Sequence, residues 1–210
     1  MRFARAGLLA LALAGSLSCA PAGKEQAEPR SSAGTGPGSR SGETRDHEAA
    51  ASLFELDFPL TDASGRERRL AEFRGRPIVA SMIYTHCTST CPRVTADLVA
   101  LDRALPPGIG ARTQFLLFSL DPARDTPAAL TAFARERKLD PARWTLLAAG
   151  KDDMRTLAAV LGVRFRPDAG GEIAHSALIV VVDSAGVIRH RRAGLGADTA
   201  SLVAAVRSVQ

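Results

Sequence analysis

Two cysteines and a distant histidine are the side chains of this sequence whose types and spacing could do chemistry. Cys87 and Cys91 lie four positions apart in YTHCTSTCP, and His175 lies in GGEIAHSALIVVVDSAG. Two thiolates and one imidazole form a soft donor set that suits Cu(I) or Cu(II). Two thiols so close together could instead form a redox-active disulfide or a structural disulfide. The residues alone leave these interpretations open.

The spacing of the cysteines weighs against a thioredoxin-type redox site and against a structural disulfide. Thioredoxin-type oxidoreductases carry two residues between their cysteines, whereas three lie here, namely Thr88, Ser89 and Thr90. A structural disulfide that closes so short a loop stabilises a fold only weakly. Thr88 and Cys91 also match part of a peroxidatic pattern, but the proline that this pattern requires four residues before the threonine is replaced here by Tyr84.

A third ligand for a metal would have to be a histidine, and three are candidates. His86 is the nearest in sequence, but its neighbour Cys87 would have to share the ion with it at an awkward geometry. His190 is flanked by arginines and is expected to face solvent. His175 comes just before a strongly β-prone segment, and it is therefore the best candidate to enter a sheet beside the cysteines.

The cysteine loop is expected to lie between a buried strand and a helix. Residues 77–84, PIVASMIY, form a mostly apolar run that is typical of a strand buried on both faces. Pro92 suits the first position of a helix, which would make Cys91 the N-cap. The loop would then lie at the carboxyl end of the strand, where α/β proteins place their sites. Unpaired amides and the helix dipole at that position favour a thiolate over a thiol.

Further strands and helices alternate along the chain, and an N-terminal hairpin at 58–70 precedes them. This order predicts an α/β protein of the thioredoxin-like fold, with a central mixed sheet, flanking helices and an N-terminal β-hairpin extension. The other predicted elements are strands at 114–120 and 144–147, a helix from Thr126–Pro127 to about Lys138, a helix at 152–161, a hairpin at 176–191 and a helix at 198–209.

The first 50 residues differ in composition from the rest of the chain. Residues 1–19 combine basic residues with a short apolar run, which is typical of a signal peptide. Cys19 follows this run where bacterial lipoproteins are cleaved and acylated. Residues 20–50 lack large apolar side chains and are expected to form a flexible linker. These features predict an exported protein on the periplasmic face of the bacterial inner membrane, held there by lipid or leader, with one folded domain at 51–210.

The net charge of +5 is spread along the chain. The densest basic runs, at 66–69 and 189–192, contain no interleaved aromatic residues. Nucleic-acid binding is therefore not expected.

Taken in order, several segments of this chain resemble the Sco/SenC family of thioredoxin-fold copper carriers, which are tethered at bacterial and mitochondrial membranes. The resemblance covers residues 55–208. It rests on the segments FPLTDASGRERRLAEFRGRPIVASMIYTHC, SLDPARDTP and AHSALIVVVDSAG, and on the similarity of YTHCTSTCP to the family signature YTxCxxxCP.

The resemblance implies a ligand set and a function. Cys87, Cys91 and His175 match the copper ligands of the family, and the same cysteines match its redox-active pair. Asp121 in SLDPARDTP matches an acidic residue near the site, with a role behind the ligands or towards a partner. Thr88 and Ser89 stand where the family usually has proline and aspartate. The resemblance therefore does not indicate which client protein this chain serves.

The function implied is that of a copper chaperone more than of an enzyme. Such a protein delivers copper to the dinuclear copper centre in subunit II of cytochrome c oxidase, or to another copper-receiving protein, or it reduces the cysteines of that centre. The alternative is a thiol–disulfide oxidoreductase with incidental metal binding.

Overall fold

A seven-stranded mixed sheet forms the centre of the protein in the computed structural model, which describes residues 51–168, 170–196 and 198–210. The strands of this sheet are β1 (Leu60–Asp62), β2 (Glu67–Arg68), β3 (Ile78–Ile83), β4 (Gln114–Ser119), β5 (Trp144–Ala149), β8 (Leu178–Val182) and β9 (Ile188–Ala193). A separate two-stranded ribbon consists of β6 (Phe165–Pro167) and β7 (Ile173–His175). The helices are α1 (Thr90–Ala104), α2 (Pro107–Gly110), α3 (Pro127–Glu136), α4 (Lys151–Leu161) and α5 (Thr199–Arg207), with short 3-10 helices at Leu53–Glu55 and Leu70–Phe73.

The strand order in the sheet is β2-β1-β5-β4-β3-β8-β9. Strands β3, β4 and β5 run parallel to one another, and β1, β8 and β9 are antiparallel to their neighbours. Every residue of β3, β4 and β8 is buried, as expected from their apolar sequences. The predicted central mixed sheet and flanking helices are confirmed, and the N-terminal hairpin extends this sheet through the pairing of β1 with β5.

Local signals in the sequence explain where several helices begin and end. Thr126 is the N-cap of α3, where its hydroxyl accepts a hydrogen bond from the Ala129 amide at 3.3 Å, and Pro127 is the first helical residue. Helix α1 ends before the Pro106–Pro107 pair, which cannot continue a helix. Helix α4 ends at Gly162 in the left-handed conformation, with φ +86°. From there the chain turns into β6.

The ribbon of β6 and β7 was not expected from the sequence. Its two strands have three residues each and pair antiparallel, with Phe165 opposite His175. The ribbon is tied at its base by hydrogen bonds between Arg164 and Ser176. It therefore places His175 at a defined position before the chain enters β8.

None of the helices in the described part of the chain is long and apolar enough to cross a membrane.

Candidate metal centre

The loop between β3 and α1 holds both cysteines through backbone hydrogen bonds. The Sγ of Cys87 accepts a hydrogen bond from the Cys91 amide at 3.3 Å, and the Sγ of Cys91 accepts one from the Tyr84 amide at 3.4 Å. Cys91 is completely buried and Cys87 nearly so. Both are free cysteines in this structure.

The predicted N-cap was wrong by two residues. Helix α1 begins at Thr90 with Ser89 as its N-cap, so that Cys91 lies within the first turn. The Ser89 hydroxyl does not cap the helix. Because the Cys87 sulfur accepts the amide of Cys91, it satisfies one of the amide groups that a helix start leaves unpaired. The first turn also tolerates Pro92, since an amide there would have no helical partner.

His175 completes the group from the end of β7. Its Nε2 lies 3.3 Å from the Sγ of Cys91, and its Nδ1 lies 3.2 Å from the carbonyl oxygen of Ser176. Because a carbonyl can only accept a hydrogen bond, Nδ1 carries the proton and the lone pair of Nε2 faces the sulfur. The ligand atoms of Cys87, Cys91 and His175 all lie within 4.8 Å of one another.

The donor set of this group fits copper. It contains two sulfur atoms and one imidazole nitrogen, without a carboxylate. Soft sulfur donors with an imidazole suit copper, whereas magnesium and calcium prefer oxygen ligands. A backbone carbonyl behind the imidazole is the usual arrangement for a metal-binding histidine.

Comparison with known proteins identifies the family of this chain. A family model described as SCO1/SenC matches residues 46–209. The chain belongs to the SCO1/SenC family. The mitochondrial SCO2 homologue of Bos taurus is 36% identical over 88 residues, which are 41% of this chain and 33% of that protein. The chain thus matches about a third of the length of that relative.

Solved structures of similar proteins confirm the thioredoxin-like fold. A putative electron transfer protein from Aquifex aeolicus VF5 superposes with a TM-score of 0.69 at 28% identity, over 76% of this chain and 93% of that one. ScoI of Bradyrhizobium japonicum, solved with copper bound, superposes with a TM-score of 0.62 at 24% identity, over 73% of this chain and 97% of that one. BsSco, described as a member of the Sco family of cytochrome c oxidase assembly proteins, superposes with a TM-score of 0.64 at 22% identity, over 72% of this chain and 90% of that one.

Tyr84 connects the two parts of this SCO1/SenC site, a role that sequence reasoning missed. Its hydroxyl donates to a carboxylate oxygen of Glu172 at 2.8 Å and accepts from the Ile173 amide at 3.3 Å. Its ring meets the His175 ring edge-on, with centroids 5.9 Å apart and planes at 73°. The signal available was that Tyr84 is the only tyrosine of the chain and directly precedes the cysteine loop.

The acidic residue of SLDPARDTP that supports the loop is Asp125. This buried carboxylate accepts hydrogen bonds from the Thr85 amide at 3.0 Å, the Thr85 hydroxyl at 2.6 Å and the Ser119 hydroxyl at 2.6 Å. Asp121, which the sequence had suggested, instead binds Arg124, whose guanidinium also donates to the carbonyl of Gly171. None of the hydrogen bonds found for Asp121 among the described residues reaches a member of the metal centre.

The three ligand side chains differ in how readily they ionise. Burial alone would raise the pKa of Cys87, but hydrogen bonds from the Cys91 amide and from neighbouring groups bring it below its ordinary value. The expectation that the helix start would favour a thiolate at Cys91 was wrong. Burial raises the pKa of Cys91 far above its ordinary value, and the nearby charges of Cys87 and Asp125 add to this effect. Burial also lowers the pKa of His175, which is therefore neutral and able to bind metal at pH 7.

Proposed function

We propose that this protein binds one copper ion, as Cu(I) or Cu(II), through Cys87, Cys91 and His175 and takes part in the assembly of cytochrome c oxidase. The observation that carries the proposal is the convergence of these three donor atoms within 4.8 Å. Copper in the related ScoI of Bradyrhizobium japonicum and the oxidase-assembly role given for BsSco support it.

The client we propose is subunit II of cytochrome c oxidase, or another copper-receiving protein. Each cysteine releases a proton when it binds copper, so loading the site with Cu(I) releases two protons if both thiols start protonated. Hydrogen bonds hold the pKa of Cys87 below its ordinary value against the effect of burial, so this thiol is the first to ionise. Burial stabilises Cys91 as a thiol, and binding of the metal would favour its thiolate form. His175 adds a neutral donor, which leaves the charge of the complex low.

Reduction of the client's cysteines is the second role that the geometry supports. The Cys87 thiolate attacks a disulfide of the client and forms a mixed disulfide, and one client sulfur leaves as a thiolate. Cys91 then gives its proton to the released client thiolate or to water and attacks the Cys87 sulfur, which releases the second client sulfur. Two thiols of this protein are oxidised to a disulfide and one client disulfide is reduced to two thiols. The observation that favours this role is that Cys87 and Cys91 are both free, with their sulfur atoms within 4.8 Å of each other.

Removing the third ligand tests the copper site. Purified, reduced protein is loaded with copper, and His175→Ala is compared with wild type for Cu(II) affinity and for the sulfur-to-copper charge-transfer band. We expect weaker binding and a shifted band, since one of three ligands is lost. His190→Ala is the matched control, because His190 lies on β9 and outside the donor group. Equal affinity and an unchanged band in His175→Ala would contradict the ligand assignment.

The same measurements separate a carrier from an oxidoreductase. A carrier should retain copper in a histidine-dependent way and turn over model disulfides poorly. An oxidoreductase with incidental metal binding should keep its disulfide turnover in His175→Ala, because the thiol chemistry needs only the cysteines.

The proposed place of work is the periplasmic face of the bacterial inner membrane. The sequence of residues 1–50 supports export and tethering through Cys19. These residues lie outside those that the structure describes.

A further inference from the structure

His86 is an exposed histidine that directly precedes Cys87 in the loop of the metal centre. Its side chain is 53% exposed, whereas Cys87 is 5% exposed and Cys91 is 0% exposed. His175 is half-buried, and its Nε2 already faces the Cys91 sulfur. A copper ion that a partner brings to the protein surface would therefore meet His86 more readily than either sulfur.

A hydrogen-bond relay sets the tautomer of His86. The Thr85 hydroxyl has a single hydrogen, which it donates to Oδ1 of Asp125 at 2.6 Å. The same hydroxyl lies 3.1 Å from Nδ1 of His86, so that in this contact the oxygen accepts and Nδ1 donates. Oδ1 of Asp125 also lies 4.0 Å from Nδ1 of His86.

The relay leaves Nε2 of His86 with a lone pair and no hydrogen. No other described residue forms a hydrogen bond with this nitrogen. A carboxylate or hydroxyl behind one ring nitrogen is the arrangement that orients a histidine for metal binding through the other. The groups that hold His86 are therefore of the kind found behind a metal-binding histidine, although His86 lies outside the group formed by Cys87, Cys91 and His175.

We propose that His86 is the first ligand to receive copper and passes it to Cys87 and Cys91. The inference rests on the proposed copper-carrier function. His86 cannot easily remain a ligand, because consecutive residues share one ion only at an awkward geometry. It acts as a transfer ligand for an ion that ends on Cys87, Cys91 and His175.

The transfer is a ligand exchange in which copper stays Cu(I). A bond from copper to the delivering partner breaks as the bond to His86 Nε2 forms. The bond to Nε2 then breaks as bonds to the Cys87 and Cys91 sulfurs form. Protons carried by the two thiols pass to the displaced ligands of the partner or to water. No electron is transferred, and no further reactant is required.

Copper-loading kinetics test this role. Reduced apo-protein is mixed rapidly with Cu(I) held by a coloured chelator, and the loss of the chelator colour gives the loading rate. We expect His86→Gln to load about tenfold more slowly, in line with the loss of a supported metal ligand. Its final copper affinity should match wild type, because Cys87, Cys91 and His175 are unchanged. His190→Gln, which removes a histidine outside the site, should load like wild type.

The outcomes distinguish this inference from the proposed function. If His86→Gln loads at the wild-type rate with wild-type affinity, the transfer role is wrong and the copper site stands. If wild type retains no copper, the proposed function and this inference both fail.

A metal-free measurement tests the relay itself. Nitrogen-15 NMR of the apo-protein should show His86 protonated on Nδ1 in wild type and in Thr85→Ser, which keeps the hydroxyl. Thr85→Val removes the hydroxyl, so we expect a mixture of tautomers together with slower copper loading. His86 protonated on Nε2 in wild type would overturn the proposal, because the lone pair would then point towards the protein.

Discussion

At the scale of single residues, Cys87 and Cys91 have opposite tendencies to ionise. Burial opposes ionisation of both, but the Cys87 sulfur accepts the Cys91 amide and its pKa falls below the ordinary value, whereas the pKa of Cys91 is raised. The thiolate is the reactive form of a cysteine. We therefore predict that limiting iodoacetamide alkylates Cys87 before Cys91 in the reduced apo-protein at neutral pH. Peptide mass spectrometry at several reaction times measures both rates.

The pH dependence of this alkylation has a definite sign. The rate at Cys87 should rise with pH through a midpoint below that of an ordinary cysteine, because the thiolate forms earlier. Cys91 should become reactive only at a pH above that of an ordinary cysteine, and urea-unfolded protein should show no preference. Faster alkylation of Cys91 in the folded protein would contradict the ionisation order.

At the scale of elements, hydrogen bonds join the β6–β7 ribbon to Tyr84. The tyrosine hydroxyl bonds to both Glu172 and Ile173, two and three residues before His175. We predict that Tyr84→Phe weakens copper retention about tenfold, since it removes a group that supports a ligand. It also leaves the buried Ile173 amide without this acceptor, so hydrogen exchange should increase over residues 165–175. Chelator competition and exchange mass spectrometry measure the two effects.

Glu172→Gln is the matched control for the tyrosine variant. The amide oxygen of glutamine can still accept the hydrogen bond of the Tyr84 hydroxyl, so copper retention should stay near wild type. If Tyr84→Phe retains copper as wild type does, the ribbon is held by other contacts and the role given to Tyr84 is wrong.

At the scale of the whole molecule, the leader, the linker and the domain together predict where the protein works. If Cys19 is acylated, the predicted linker of about 31 residues has a root-mean-square reach of roughly 30 Å. That reach would let the Cys87–Cys91 loop meet the exported domain of a membrane enzyme. We predict that wild type fractionates with membranes and that Cys19→Ser moves to the soluble periplasmic fraction. If wild type and Cys19→Ser both appear in the soluble fraction, the prediction of a lipid anchor is wrong, and the proposed copper site is unaffected.

Local sequence patterns were sufficient for much of the fold. The apolar run of β3 predicted a buried strand, Thr126–Pro127 predicted the start of α3, and the predicted hairpin at 176–191 corresponds to β8 and β9. Each of these features depends on neighbours a few residues apart, because side-chain period and capping are local properties. The start of α1 was misplaced, because its cap is a sulfur atom that usual capping rules do not include.

The sequence by itself determined which side chains could form the site: two cysteines in one loop, and a histidine before a buried strand. Only the tertiary structure decided that His175, which is 84 residues from Cys91, lies 3.3 Å from its sulfur. It also decided that Asp125 and not Asp121 supports the loop, although both belong to SLDPARDTP. The physical reason is that contacts between distant residues depend on strand pairing and on burial. Around His175, the pairing and the burial come from the β6–β7 ribbon and from the hydroxyl of Tyr84. The ribbon and the hydroxyl produce no periodic pattern in the sequence.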